Sequence, residues 1–242
     1  MQNDMGRTAG HLLRSPVVEI VLVRHAEPEW VREGLSVDDP PLTERGHDQA
    51  ARLAERLASE PFDEVYVSPT MRTRQTAAPI LDRLGRPQQI DEWLEEIRNP
   101  VWHGTPAEKA EQAFSEERRR PSRDRWNGLR GGEAVRSFVD RVRLGASLFL
   151  AERGIERALD DLPVWTVPDE DRRILLIAHA GTNAVVICHL LGLEPVPWEW
   201  ERFVLGHASI TRLEALPTGE GQTFGLSRLS DVEHLPPELR TR

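Results

Sequence analysis

The seven residues 17–23 (VVEIVLV) form an apolar, β-branched run that stops abruptly at Arg24 and His25. Apolar side chains at successive positions, rather than alternate ones, predict a strand covered on both faces, as in a parallel sheet flanked by helices. The pattern recurs at 64–68 (EVYVS) and at 174–178 (ILLIA). Helical segments separate these runs. Thr43 stands as an N-cap before Ala50, Leu53, Ala54 and Leu57, and a second helix starts at Pro69 and passes Thr76, Ile80 and Leu84 to stop at Gly85. A long helix from about Glu133 has Val135, Phe138, Val139, Val142 and Leu148 as its apolar side, and 183–191 is a helix ended by Gly192. Residues 160–173 read as a linker, and 209–213 and 224–229 as later strands.

This alternation predicts an α/β fold: a three-layer sandwich with a mainly parallel central sheet, helices on both faces and a helical cap insertion. At 242 residues the chain exceeds one typical domain and falls short of two. Residues 17–232 therefore read as one domain, with a polar cap inserted at about 98–132, a flexible N-terminal tail over 1–16 and a C-terminal tail over 233–242. The first sixteen residues lack the apolar stretch of a secretory signal. The most apolar window, 174–193, contains His179, Asn183 and His189, which are costly in hydrocarbon, so it reads as a buried strand and helix.

Charge and composition narrow the partners. With 31 Lys+Arg against 40 Asp+Glu the net charge is −9, so neither nucleic acid nor an anionic membrane surface is expected to bind, and an anionic ligand needs a local basic pocket. A single cysteine, Cys188, excludes an intramolecular disulfide and a multi-cysteine metal site, and places the chain in a reducing cytoplasm. No GxxxxGK[ST], GxGxxG, HxH or HExxH occurs, so no cofactor and no metal are expected. Trp198, Trp200 and Phe203 (in PVPWEWERF) read either as a homodimer interface or as partly buried core.

In a sheet of this kind the ligand site lies beyond the carboxyl ends of the strands. Arg24 and His25 end the first strand, Ser68 ends the second with Arg72 one turn into the next helix, and His179 ends the third just before Gly181. Taken singly, each has an ordinary structural reading: a hydrogen-bonded core histidine, or a surface helix arginine for which Arg74 serves as well as Arg72. Together they put two cations and two imidazoles at one edge.

The segments LVRHAEPEW, PLTERGHDQA, VSPTMRTRQTA, LEEIRNPVWHG, GGEAVRSFVDR and IAHAGTNAVV, in this order and approximate spacing, resemble the histidine phosphatase superfamily, which includes phosphoglycerate mutases and acid phosphatases. The resemblance covers roughly 17–213. It implies a metal-independent phosphomonoester hydrolase acting on a small phosphorylated metabolite, with a phosphohistidine intermediate on His25. Mutase-type phosphoryl transfer and a non-catalytic phosphate-binding regulatory protein are the rival readings. It further implies that Arg24 and Arg72 hold the phosphoryl oxygens, that His179 makes a third contact and that Glu96, rather than its neighbour Glu95, protonates the leaving oxygen, with Glu27 the second choice. Ser36, Glu27, Trp30, Thr43, Trp102, Ala180 and Gly181 are the implied substrate-binding positions.

The implied chemistry is sound on elementary grounds. An imidazole attacks phosphorus only when neutral, and its ordinary pKa of about 6.5 leaves it mostly so above neutrality. Phosphoryl transfer is largely a matter of positioning and charge stabilisation, for which arginine supplies fixed forked donors. A carboxylic acid beside a bound phosphoryl group has its pKa raised and can deliver the leaving-group proton. Val31, Ser36, Pro100 and His103 depart from the family pattern, which implies altered specificity. Arg118, Arg119, Arg120, Arg123 and Arg125 crowd the cap; they read either as a solvated helix end or as a lid that holds a second anionic group.

Overall fold

The structure is a computed structural model that describes residues 16–242; apart from Pro16, the predicted N-terminal tail lies outside the described residues. In chain order the elements are β1 (Val18–Arg24), the hairpin β2 (Val31–Arg32) and β3 (Leu35–Ser36), α1 (Glu44–Leu57), β4 (Glu64–Val67) and α2 (Met71–Leu84). The cap helix α3 (Ala107–Arg118) and the long α4 (Val135–Ala151) follow, then the short strands β5 (Glu156–Arg157) and β6 (Trp165–Thr166). The chain ends with β7 (Arg172–Ala178), α5 (Ala180–Leu191), the single turn α6 (Glu199–Arg202), β8 (Ile210–Thr218) and β9 (Gly221–Asp231).

Seven strands form one sheet in the order β4-β7-β1-β8-β9-β6-β5. The pairs β4–β7 and β7–β1 are parallel, and from β8 outward every pairing is antiparallel. Strand alternation sorts the core into two layers. Val18, Ile20, Leu22, Ile174 and Leu176 pack under α4 and α5, while Val21, Val23, Leu175 and Ile177 pack under α1 and α2. The sandwich is thus three layers deep, with apolar residues on both faces of β1 and β7, as the near-continuous apolar runs required. Glu19, the one polar residue inside the first run, is buried between Arg212 and Arg173 at 2.8 and 2.5 Å.

The local signals act as expected at the helix ends. Thr43 Oγ1 accepts from the Gly46 amide, and Gly85 and Gly192 close α2 and α5 at φ of 62° and 69°, a conformation open to glycine without penalty. Two assignments need correction. Leu148 is 59% exposed, because α4 turns Ala146, Phe149 and Leu150 inward instead. Residues 233–242 are no tail: Leu235 is fully buried in the α1–α2 layer, and Gln49 Nε2 donates to Leu239 O at 2.7 Å and to Thr241 Oγ1 at 2.9 Å. An apolar leucine and satisfied backbone groups make this segment part of the domain. Among the described residues, no helix is long and apolar enough to cross a membrane.

Candidate active site

The parallel strands β1, β4 and β7 end at one edge of the sheet, in the register Arg24 beside Ala178 and Val67 beside Ile177. His25, Ser68 and His179 therefore leave the sheet side by side. Strand β8 runs the opposite way, so its amino end reaches the same edge, with Val23 opposite Ile210. This brings His207, Ala208 and Ser209 into the group. Ala208 adopts the left-handed region at φ 53°, where a residue with a Cβ pays roughly 1–2 kcal/mol, and from there its amide donates to His25 O at 3.2 Å.

His25 is almost fully buried, and its Nδ1 lies 2.8 Å from the Ala26 carbonyl. A carbonyl only accepts, so Nδ1 carries the proton and Nε2 keeps its lone pair. Burial, then the neighbouring Arg72, His179 and Arg24, hold its pKa well below the usual 6.5. The ring is neutral at physiological pH, with a free lone pair on Nε2.

Both arginines are aimed by neutral histidines. Arg72 Nη2 lies 3.1 Å from His179 Nδ1, and His179 Nε2 lies 2.8 Å from Ser68 Oγ. A guanidinium only donates, so His179 accepts at Nδ1 and donates from Nε2 to the Ser68 hydroxyl. Burial and the two arginines depress its pKa strongly, which keeps it in that form. Arg24 Nη1 donates to Leu205 O at 2.5 Å, and its Nη2 donates to His207 Nε2 at 2.9 Å. His207 is held down to about 3, chiefly by burial and also by Arg24, and its Nδ1 reaches Thr241 Oγ1 at 2.9 Å. Burial brings Arg24 down to about 10, which still leaves it charged. Each guanidinium retains uncommitted N–H donors.

Glu96 sits opposite, in a loop fastened by Arg141, which donates to the carbonyls of Glu95 and Glu96 at 3.2 and 3.3 Å and pairs with Glu133 at 3.0 Å. Its carboxylate accepts from the Ile97 amide at 3.0 Å and from Gly181 in the first turn of α5 at 2.9 Å. Burial raises its pKa against the opposing pull of these amides, Arg72 and Arg24. A bound phosphoryl dianion would offset the arginines and raise it further. Gly181 is needed for this approach: a Cβ there would lie 2.5 Å from Glu96 Oε1.

Arg24, His25, Arg72 and Glu96 line the floor of a cleft of about 1060 Å³. One wall is the β2–β3 hairpin, turned by Glu33 and Gly34 at positive φ, and it is bonded to the cap through Ser36 N to Thr105 O (2.8 Å) and Ala107 N to Gly34 O (3.0 Å). The cap is pinned on its other side by Arg125, which pairs with Glu117 at 3.2 Å and Glu201 at 2.8 Å.

Of the residues singled out from sequence, Arg24, His25, Arg72, Glu96, Trp30, Ser36, Trp102, Ala180 and Gly181 line this cleft. His179 meets it through Arg72, with both ring nitrogens already bonded. Glu27 and Thr43 do not line it: Thr43 Oγ1 donates to Glu27 Oε1 at 3.0 Å, and Glu27 also pairs with Arg45, so the two organise the start of α1. In the arginine cluster only Arg118 and Arg125 face the cleft. Arg119 turns back onto Ser115, and Arg120 donates to Gly128 O at 2.6 Å. Trp200 and Phe203 pack against the α4–α5 core, and Trp198 lies under Arg125. Sequence reasoning missed His207. Its signal was present, a histidine adjoining a strand, but it precedes its strand, and only antiparallel pairing brings that end to the site.

Known proteins are similar to this chain in sequence and fold. The chain is 35% identical over 181 residues to phosphoserine phosphatase 1 of Hydrogenobacter thermophilus, covering 74% of this chain and 78% of that one. It is 29% identical over 208 residues to a probable phosphoglycerate mutase, GpmB, of Yersinia enterocolitica, covering 82% and 85%. The structure of a mycobacterial glucosyl-3-phosphoglycerate phosphatase in complex with VO3 superposes with a TM-score of 0.64 at 25% identity, over 87% of this chain and 97% of that one. The family profile of the histidine phosphatase superfamily, branch 1, matches residues 20–224, and the chain belongs to that family.

Proposed function

We propose that this protein hydrolyses phosphomonoesters of small metabolites through a phosphohistidine on His25. The observation that carries this reading is the fixed tautomer of His25: with Nδ1–H tied to the Ala26 carbonyl, Nε2 is an unprotonated nucleophile in the cleft that Arg24, Arg72 and Glu96 also line. The phosphatase names borne by relatives support it.

In the first half-reaction His25 Nε2 forms a bond to phosphorus while the bond to the ester oxygen breaks. Protonated Glu96 gives its proton to that oxygen. Arg24 and Arg72 bind the phosphoryl oxygens, whose charge spreads as the transition state forms. In the second half-reaction a water oxygen attacks phosphorus, Glu96 takes the water proton, and the P–N bond breaks to restore His25. The steps require no metal, because two guanidinium groups supply the charge that a metal would. Glucosyl-3-phosphoglycerate, phosphoserine and phosphoglycerate are the esters that relatives' names suggest.

Quenching a millisecond reaction in alkali tests this. A base-stable, acid-labile phosphate should be recovered on the peptide bearing His25, and His25→Ala should abolish turnover with an unchanged thermal midpoint. Label on another residue, or near-normal turnover by the variant, refutes the mechanism.

A further inference from the structure

The cleft beyond its phosphoryl-binding floor is apolar where it is uncommitted and acidic where it is charged. Trp30, Val31, Val101, Phe114 and Val204 are all large hydrophobic residues exposed to solvent, Val101 to 84%, and all five line this one cleft. Single exposed hydrophobics are ordinary, but their concentration in one concavity marks a binding surface. The apolar wall begins beside the reacting centre, since the Trp30 ring centre lies 4.9 Å from Arg72 Cζ. On the cap side Phe114 meets Trp102 edge to face at 5.5 Å.

The charges beyond the floor do not favour an anion. Leaving aside Arg24, Arg72 and Glu96, the lining holds seven carboxylates against four arginines, with Asp39 paired to Arg72 at 3.5 Å and Glu133 to Arg141 at 3.0 Å. Arg98 is already paired with Glu95 at 2.6 Å, and Arg125 lies between Glu117 and Glu201. Arg118 and Arg242 are exposed at the rim, where water and salt weaken a single contact. Glu111, by contrast, has no ion-pair partner among the described residues. A carboxylate on the leaving group would find no uncommitted buried guanidinium with which to form the forked pair that secures such groups elsewhere.

We propose that the leaving group this cleft selects is uncharged and apolar, an aryl or aralkyl alcohol, and that a second anionic group on the substrate is disfavoured. The inference rests on the phosphomonoesterase reading above, and within it places the carboxylated esters that relatives' names suggest below uncharged ones. An aromatic ring seated between Trp30 and Phe114 gains burial and ring–ring contact, while its phosphate remains on the floor.

The test compares kcat/KM for four alkyl phosphates, so that intrinsic leaving-group reactivity is similar: 2-phenylethyl phosphate, ethyl phosphate, 3-phosphoglycerate and phosphoserine. Formation of the His25 phosphate is scored for each by rapid quench. The expected order puts 2-phenylethyl phosphate first by at least about tenfold over ethyl phosphate, with the two carboxylated esters at or below ethyl phosphate. Phe114→Ala should narrow the phenylethyl-to-ethyl ratio by about tenfold. Equal or better turnover of 3-phosphoglycerate or phosphoserine, with His25 labelled, overturns the specificity and leaves the mechanism standing. No label from any ester overturns the phosphomonoesterase reading, and the specificity with it.

Discussion

Arg24 is held in place by His207, which carries no charge. The guanidinium donates to His207 Nε2 at 2.9 Å, and the opposite ring nitrogen lies 2.9 Å from the hydroxyl of Thr241. A charged imidazolium could not accept that bond and would repel Arg24, so burial, by keeping His207 neutral, is what permits the pairing. Thr241 thereby reaches Arg24, on the floor of the cleft, through one ring.

His207 is a positioning residue, so its loss should act on Arg24 rather than on the fold. His207→Ala is expected to lower kcat by about 10–100-fold with little change in KM, since misplaced charge stabilisation weakens the transition state most. His207→Gln, whose amide oxygen can accept from Arg24, should recover part of the loss. Equal losses for both variants at unchanged thermal midpoint would show that the ring does not orient Arg24.

The proposed reaction needs His25 neutral and Glu96 protonated. Burial and the arginines place the His25 pKa well below 6.5, so its acid limb lies on the acid side of an ordinary histidine. Burial raises Glu96, so activity should decline with rising pH as that carboxyl loses its proton. Activity is therefore expected to fall toward acid as His25 gains a proton and toward alkali as Glu96 loses one, and Glu96→Gln should flatten the alkaline limb. Substrate ionisation is common to both enzymes, so the ratio of their kcat/KM values for an alkyl phosphate, whose leaving oxygen needs the proton, isolates the Glu96 contribution. A ratio independent of pH from 5 to 8 would remove Glu96 from the role.

Arg72 stands at the end of a relay from Ser68 through His179. Arg72→Ala should lower kcat on the order of 10²–10³-fold for every ester alike, the scale of losing a preorganised charge stabiliser. Arg72→Lys should recover little, because an ammonium cannot keep the fork that serves His179 and a phosphoryl oxygen together. Ser68→Ala should fall between wild type and Arg72→Ala. Kinetics on one aryl and one alkyl phosphate decide it; a loss confined to the alkyl ester would mean that Arg72 serves leaving-group departure instead.

Much of this site is legible from sequence because three of its histidine and serine positions follow short, largely apolar strand runs. His25, Ser68 and His179 needed only the rule that ligands bind beyond the carboxyl ends of parallel strands. His207 escaped that rule because β8 is antiparallel and enters the site by its amino end. Sequence periodicity does not reveal strand direction. The packing of 233–242 was equally hidden, since its one buried anchor, Leu235, is an isolated apolar residue among prolines and charges. The arginine cluster shows a third limit. Spacing puts Arg119 and Arg120 beside Arg118, but only backbone and Ser115 acceptors decide that these two turn away from the cleft.

Gly181 separates activity from stability at one position. It lies in the first turn of α5, with its amide on Glu96 and no room for a methyl group, which would sit 2.5 Å from Glu96 Oε1. In a helix, alanine is favoured over glycine by about 0.5–1 kcal/mol, so the backbone alone predicts that Gly181→Ala stabilises the fold. The carboxyl group, however, must swing away from the floor to admit the methyl. Gly181→Ala should therefore keep or slightly raise the thermal midpoint while kcat falls by about 10²-fold for alkyl phosphates, the scale of lost acid catalysis. Aryl phosphates, whose leaving oxygen needs little proton assistance, should be spared most of that loss. If both ester classes lose equally, the methyl acts on the phosphoryl-binding floor, and the placement of Glu96 beside α5 does not serve proton transfer.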